Sequence, residues 1–241
     1  AGNLAVSQAV MSLVNEGVTG PDGTLHTIWT TPSMFRTAQF VGEAVREIHR
    51  IDGPALAADG SPFDVSLLVG GQIAGGRLRL FMVYRAGNFI EANEDTPYLQ
   101  IGEHKYGKPI LDRAAGWNTS LRDALKLGLI SMDSTMRSNL GVGMPIDVAI
   151  LERDALRLSV RRRVEEDEPY FADLRTRWST ALRQAHRAIP APPYEGTADA
   201  DWAAREGSAD DPAPAPAGER ASGQTVPAMM GPGADPGGQA R

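Results

Sequence analysis

Cysteine is absent from this 241-residue chain. Its absence excludes a disulfide framework, a thiolate nucleophile and a cysteine zinc site within these residues, and it suits a reducing compartment, so we expect a cytoplasmic protein. Long apolar runs are also missing, since the stretch from Val65 to Val69 is far shorter than the ~20 residues that a membrane-spanning helix needs. The first residues lack the basic flank and apolar core of a signal peptide, and we expect no membrane partner.

The chain also has no strong excess of basic or acidic residues. The chain has 24 Lys and Arg against 30 Asp and Glu, spread along its length, for a net charge of -6. A nucleic-acid binder usually concentrates basic residues on one surface, so nucleic acid is a poor default partner. The run Arg161 to Arg163 allows a phosphate site or a solvated strand edge, and the acidic residues that follow it favour the strand edge.

Standard site motifs are missing as well. The chain has no phosphate-binding loop with Gly-Lys and no Gly-x-Ser-x-Gly nucleophile turn. Its histidines are scattered, with no pair at the spacing of metal ligands, so we expect no metal and no cofactor. The glycine pairs 70–71 and 75–76 precede no helix start, and we interpret them as hairpin turns. These glycine pairs are the one feature that favours a small-ligand binding module, and we rank that interpretation last.

Helical periodicity predicts five helices. Asn3 caps the first, which ends at Gly17, and Pro32 opens the second, which ends near Asp52–Pro54. Three further helices are predicted at Tyr106–Ala115, Leu121–Met136 and Pro169–Ile189.

Alternating and β-branched residues predict strands between these helices. They lie at Phe63–Gly71, Leu78–Tyr84, Phe89–Ala92, Tyr98–Ile101, Ile146–Leu151 and Leu156–Val160. Strand pairs between helix pairs favour an α+β fold with sheets between outer helix layers. Two facing sheets need more strands than these, which a missing N-terminal segment would supply. Residues 1–196 are predicted to form one domain, and the Ala, Pro and Gly-rich residues 197–241 a disordered tail.

Three stretches carry the functional information. Ala1–Ala5 places a glycine before a helix N-terminus, where free N–H groups can stabilise an oxyanion or simply cap the helix. Leu99–Leu111 passes from a strand through Gly102 into a helix, and Ser131–Gly143 ends a helix in a polar loop.

These stretches, with the strings Gly70–Gly75, Ala86–Ala92, Gly102–Asp112 and Ser131–Asn139, resemble subunits of the proteasome-type N-terminal-nucleophile (Ntn) hydrolases, and most of all their bacterial Anbu branch. The resemblance covers roughly residues 1–194. It implies a four-layer αββα sandwich that is N-terminally incomplete in this chain, and a self-compartmentalising threonine-type peptidase acting on peptides or proteins. It also implies a large homo-oligomer of identical subunits.

The resemblance also implies site residues. The family's nucleophile is an amino-terminal threonine that uses its own amine as base, and we expect it upstream of Ala1, so the chain as given should be inactive. Gly2 would supply an oxyanion-hole N–H, while Leu4 and Gln8 would face the pocket for the substrate side chain. Where the family has a serine after the mid-chain glycine, this chain has Glu103. Where the family has an aspartate in the late loop, the nearest equivalents are Ser138 and Asn139, which are candidates for orienting the threonine amine by hydrogen bonding. The alternative is a non-catalytic structural subunit of a proteasome-like ring or spiral.

Overall fold

The computed structural model describes residues 1–20 and 23–192. Residues Ala1–Ile189 form one compact unit. Among its described residues it has five α-helices, α1 (Leu4–Glu16), α2 (Met34–Ala58), α3 (Lys108–Ala114), α4 (Leu121–Ser138) and α5 (Pro169–Ala188), and a 3₁₀ helix at Ile28–Thr30. Its strands are β1 (Val18–Thr19), β2 (Leu25–His26), β3 (Leu67–Gly71), β4 (Arg79–Val83), β5 (Phe89–Glu91), β6 (Ile146–Leu151) and β7 (Leu158–Val164). The predicted tail at 197–241 lies outside the described residues and stays a prediction.

Helices α1 and α2 cover one face of an antiparallel sheet with the strand order β3-β4-β5. The Asn3 side chain accepts the N–H of Ala5 at 3.0 Å and begins α1. Because Val6, Val10 and Val14 recur every four residues, they form one buried stripe on this helix. Opposite them, Phe81 and Val83 alternate on β4 toward the helices and are also buried.

Helices α3, α4 and α5 and strands β6 and β7 contribute to a second apolar cluster. Strands β6 and β7 pair antiparallel, with Ile146 opposite Val164, and both residues are buried against α4 and α5. A buried salt bridge links these two helices, because the Asp133 carboxylate on α4 accepts a hydrogen bond of 2.7 Å from Arg175 Nε on α5. Arg137 Nε lies 3.1 Å from the other oxygen of Asp133, whose side chain is 1% exposed. The two clusters confirm the mixed α+β class.

Most predicted elements are present, and the differences have physical causes. Helix α2 does not end near Asp52–Pro54 but continues to Ala58, since Leu56 packs against the first apolar cluster and holds the last turn in place. The predicted strand Tyr98–Ile101 forms no ladder, because no neighbouring strand among the described residues lies beside it. Strand β7 begins later than predicted and extends to Val164, with Arg161–Arg163 inside it.

The solvated-edge interpretation of those arginines is supported. Arg163 forms a salt bridge of 2.7 Å with Asp147 on the neighbouring strand. Arg162 forms one of 2.8 Å with Glu168. All three arginines are exposed, and local carboxylates compensate two of them.

Candidate functional site

The first three residues are held as a short extended segment beside residues 64–66. Asn3 N donates to Asp64 O at 2.7 Å and Ser66 N donates to Ala1 O at 2.9 Å. Gly2 therefore faces Val65 as a pair that exchanges no hydrogen bonds, which leaves its N–H pointing away from the partner segment. This N–H has no acceptor among the described residues, and it lies directly before α1.

Only glycine fits at position 2. Its φ is +101°, and a Cβ there would lie 2.4 Å from the carbonyl oxygen of Asp64. A side chain would push the segment away from residues 64–66 and turn the N–H from its present direction. The backbone thus fixes a free donor at the positive end of a helix, as oxyanion binding requires.

A cavity of about 710 Å³ adjoins this donor. Ala1 and Gly2 line it together with the side of the β3-β4-β5 sheet that faces away from α1 and α2. Met82, Tyr84 and Ile90 contribute that surface, and the segment from Asp95 to Gly102 contributes another. The cavity is therefore apolar on the sheet side and has a free backbone donor at Gly2.

The second and third stretches of the sequence meet beside this cavity. Asn139, just after α4, donates from Nδ2 to Glu103 Oε2 at 3.0 Å. The backbone N–H of Gly141 donates to Asn139 Oδ1 at 2.8 Å, so the orientation of the amide is fixed from both ends. A Cβ built on Gly102 would lie 3.6 Å from the Cβ of Ala1, which places the Glu103 backbone close to the chain's first residue.

Glu103 is held as a carboxylate. Its Oε1 accepts the backbone N–H of Lys105 at 3.0 Å. That bond, followed by the one from Asn139 and the charges of Lys105 and His104, lowers the pKa of Glu103 below its usual value of 4.5. An ionised group that accepts hydrogen bonds can orient a neighbouring ammonium or amine. Of the two candidate orienters, the structure brings Asn139 into this network, whereas Ser138 is exposed and its side chain has no hydrogen bond among the described residues.

A tight contact joins the turn at Gly107 to α4. A Cβ on Gly107 would lie 2.1 Å from Ser131 Oγ, so only glycine allows this approach. Thr135 Oγ donates to the carbonyl oxygen of Ser131 at 2.9 Å inside the same buried turn. This contact sets the distance between the loop that carries Glu103 and the helix that leads to Asn139.

Sequence reasoning missed a polar cluster at the cavity. Tyr98 Oη donates to Asp112 Oδ1 at 2.5 Å, and Lys108 Nζ lies 2.6 Å from the same oxygen. Burial, and then the bond to Asp112, raises the pKa of Tyr98 above 10.0. The i,i+4 spacing of Lys108 and Asp112 on a helix was the available signal, but it says nothing about Tyr98.

Leu4 and Gln8 lie one turn apart on the exposed side of α1, and Leu4 is 70% exposed. Neither residue lines the 710 Å³ cavity. No group of His, Asp or Glu suited to a metal ion occurs among the described residues. Within the same residues, no helix is both long and apolar enough to cross a membrane.

Comparison with solved structures places this arrangement among known proteins, although the chain matches no family model and no curated protein. Anbu from Hyphomicrobium sp. strain MC1 is 50% identical over 80% of this chain and 79% of its own, with a TM-score of 0.72. Anbu (ancestral beta-subunit) from Yersinia bercovieri is 44% identical, covering 80% of both chains, with a TM-score of 0.72. The helical assembly of the Anbu complex from Pseudomonas aeruginosa is 45% identical over 80% of this chain and 78% of its own, with a TM-score of 0.73.

Sequence identities of 44–50% over about four fifths of the chain, together with the similar folds, show common descent and not only a shared architecture. The chain belongs to the Anbu family of proteasome-like proteins.

Proposed function

We propose that this chain is the greater part of a subunit of a self-compartmentalising, threonine-type peptidase, and that residues 1–241 do not include its nucleophile. The observation that carries the proposal is the free Gly2 N–H, fixed by a glycine-only backbone at the start of α1 and adjoining the cavity. Such a donor suits the developing oxyanion of a peptide carbonyl and is worth ~3 kcal/mol in the transition state.

The other site residues take supporting roles in this proposal. The threonine amine would lie near Ala1, beside the loop whose Gly102 approaches that residue and whose Glu103 carboxylate is bound by Asn139. Ser138 is the weaker candidate for this role, because it joins no hydrogen bond of the network. The exposed side of α1, with Leu4 and Gln8, would contact the substrate side chain before the scissile bond.

The four-layer sandwich is part of the same proposal. In the sheet β3-β4-β5, the register places Leu68, Met82 and Ile90 in one row on the face away from α1 and α2. Leu68 is 41% and Ile90 40% exposed, although both are apolar strand residues. A second sheet formed with residues outside this chain would bury that row and part of the cavity.

We also propose that the protein is cytoplasmic and assembles from identical copies, because an unrestrained peptidase there would be harmful. A relative of this chain is described as a helical assembly, which supports the same organisation here. Enclosure in a ring or spiral would restrict access to the site to unfolded peptide or protein substrates.

A peptide-hydrolysis assay tests the proposal. The 241-residue chain should show no turnover, whereas a version extended before Ala1 by a segment that begins with threonine should cleave peptides. Gly2→Ala in the extended version should lower kcat by about 100-fold or more, because the oxyanion donor turns away. Enzyme-like turnover by the 241-residue chain, with acylation of an internal residue, would overturn the assignment of the nucleophile.

A non-catalytic structural subunit remains the second candidate. The observation that favours it is Glu103, a carboxylate where proteasome-type subunits have serine. The same assay separates the two candidates, since a structural subunit would assemble but stay inactive even when a threonine-bearing segment is restored.

A further inference from the structure

A second cavity, of about 520 Å³, is lined by Arg46, His49, Phe63, Arg85 and Ala86. We call it the arginine pocket. Arg46 on α2 donates from Nη1 to the carbonyl oxygen of Gly87 at 3.0 Å, which fixes one guanidinium against the turn between β4 and β5. The His49 ring packs edge-on against Phe63 at 4.6 Å and forms an apolar wall.

The positive charges of the two arginines in the pocket are not compensated by carboxylates in its lining. Arg85 is exposed, and neither Arg85 nor Arg46 forms a salt bridge with any residue in the part of the chain that the structure describes. Two guanidinium groups beside an apolar wall favour a negatively charged protein segment as occupant, because charge and packing both contribute.

Glu165, Glu166 and Asp167 form an exposed acidic loop between β7 and α5. The arginines nearest to it are already paired, Arg162 with Glu168 and Arg163 with Asp147. Glu166 and Asp167 form no salt bridge among the described residues. The backbone N–H of Glu168 donates to Glu165 O at 3.2 Å, so the loop is a closed turn with its carboxylates directed outward.

The pocket and the loop belong to different parts of the subunit. The arginine pocket lies against α2 and the sheet β3-β4-β5, whose apolar residues form one cluster. The acidic loop joins β7 to α5, whose residues form another. Two different surfaces of opposite charge on one chain satisfy the requirement of a heterologous contact, in which each copy uses one surface toward each neighbour.

We propose that the acidic loop of one copy docks in the arginine pocket of the next copy. The occupant is therefore a second copy of this chain. Because the contact is heterologous, it repeats from copy to copy, and it closes into a ring or climbs as a spiral according to the rotation between neighbours. The inference rests on the proposed self-assembly and not on the peptidase chemistry.

Charge exchange across the contact tests it. Arg85→Glu and Glu166→Arg are made singly and together in the version extended before Ala1, and sedimentation velocity gives the concentration at which half of the protein is assembled. Each single variant should raise that concentration by about tenfold or more, and the double variant should restore it to within about threefold. Arg157→Glu is the matched control, since it changes the same charge at an exposed residue that does not line the pocket, and it should leave assembly unchanged.

Four outcomes would overturn the proposal. The first is wild-type assembly with single variants that assemble equally well. The second is a double variant that assembles no better than the single variants. The third is a pocket that binds citrate, with loss of citrate binding but unchanged assembly in Arg85→Glu, which would make it a small-anion site. A wild-type protein that stays monomeric would refute self-assembly as well, while leaving the peptidase assay to be judged separately.

Discussion

Two glycines inside helices have opposite surroundings. A Cβ on Gly42 of α2 would lie 2.1 Å from the carbonyl oxygen of Gly87, whereas a Cβ on Gly128 of α4 would meet nothing within 4 Å. Helix propensity alone favours alanine at both positions. We therefore expect Gly128→Ala to raise the free energy of unfolding by about 0.5–1 kcal/mol, and Gly42→Ala to lower it by about 1–3 kcal/mol.

Urea denaturation of both variants measures this difference. A Gly42→Ala variant as stable as Gly128→Ala would show that α2 and the turn at Gly87 are not in contact.

Among the charged residues that the structure describes, Asp133 has the most deeply buried side chain. Removing that charge in Asp133→Asn should cost about 3 kcal/mol of unfolding free energy, because Arg175 and Arg137 lose their carboxylate partner. Asp173→Asn is the control, since its salt bridge with Arg177 is exposed and should contribute less than about 1 kcal/mol. Equal losses of melting temperature for the two substitutions would contradict a stabilising role of the buried salt bridges at Asp133.

Glu91 gives a pH-dependent prediction. Arg79 binds its carboxylate through Nε at 2.6 Å, and this bond is the main reason that the pKa of Glu91 is lowered from 4.5. Because the folded pKa lies below the unfolded one, the stabilisation is complete above the unfolded pKa and is lost as pH falls through the folded pKa. Wild type should therefore exceed Glu91→Gln in melting temperature at pH 7, with the difference shrinking below about pH 4.5. A difference that grows on acidification would contradict this sign.

At the scale of elements, periodicity predicted α1, α4 and α5 because their apolar residues recur at helical spacing. The strand pairs were predicted because their alternation matches the pleat. The end of α2 could not be predicted, since Pro54 is a helix breaker locally and the contact of Leu56 that overrides it is tertiary. The short strands β1 and β2 have two residues each, which is too few for any alternation to be seen.

In the candidate site too, local sequence signals predicted some features, whereas others depend on tertiary contacts. Gly2 before a helix start was visible in the sequence, because a cap and a glycine are local signals. The bond between Asn139 and Glu103 spans 36 residues and depends on the glycine-only approach at Gly107, which no local pattern records. The cluster of Tyr98, Lys108 and Asp112 was missed for the same reason.

For the whole molecule, we expect a large homo-oligomer. Light scattering of the protein extended before Ala1 should give a mass many times that of one 25.8 kDa chain at micromolar concentration. The chain without that segment should misassemble, since the apolar row Leu68, Met82 and Ile90 stays uncovered. A clean monomer across micromolar concentrations would contradict the assembly.

Intact-mass analysis with a covalent peptide inhibitor tests whether the nucleophile lies in a segment before Ala1. A peptide β-lactone, which acylates activated hydroxyl groups, is incubated with the 241-residue chain and with the version that begins with threonine before Ala1. We expect one adduct on the terminal threonine of the extended version and none on the 241-residue chain. An adduct on any residue between Ala1 and Arg241 in either protein, or an extended version that stays unmodified, would contradict this expectation.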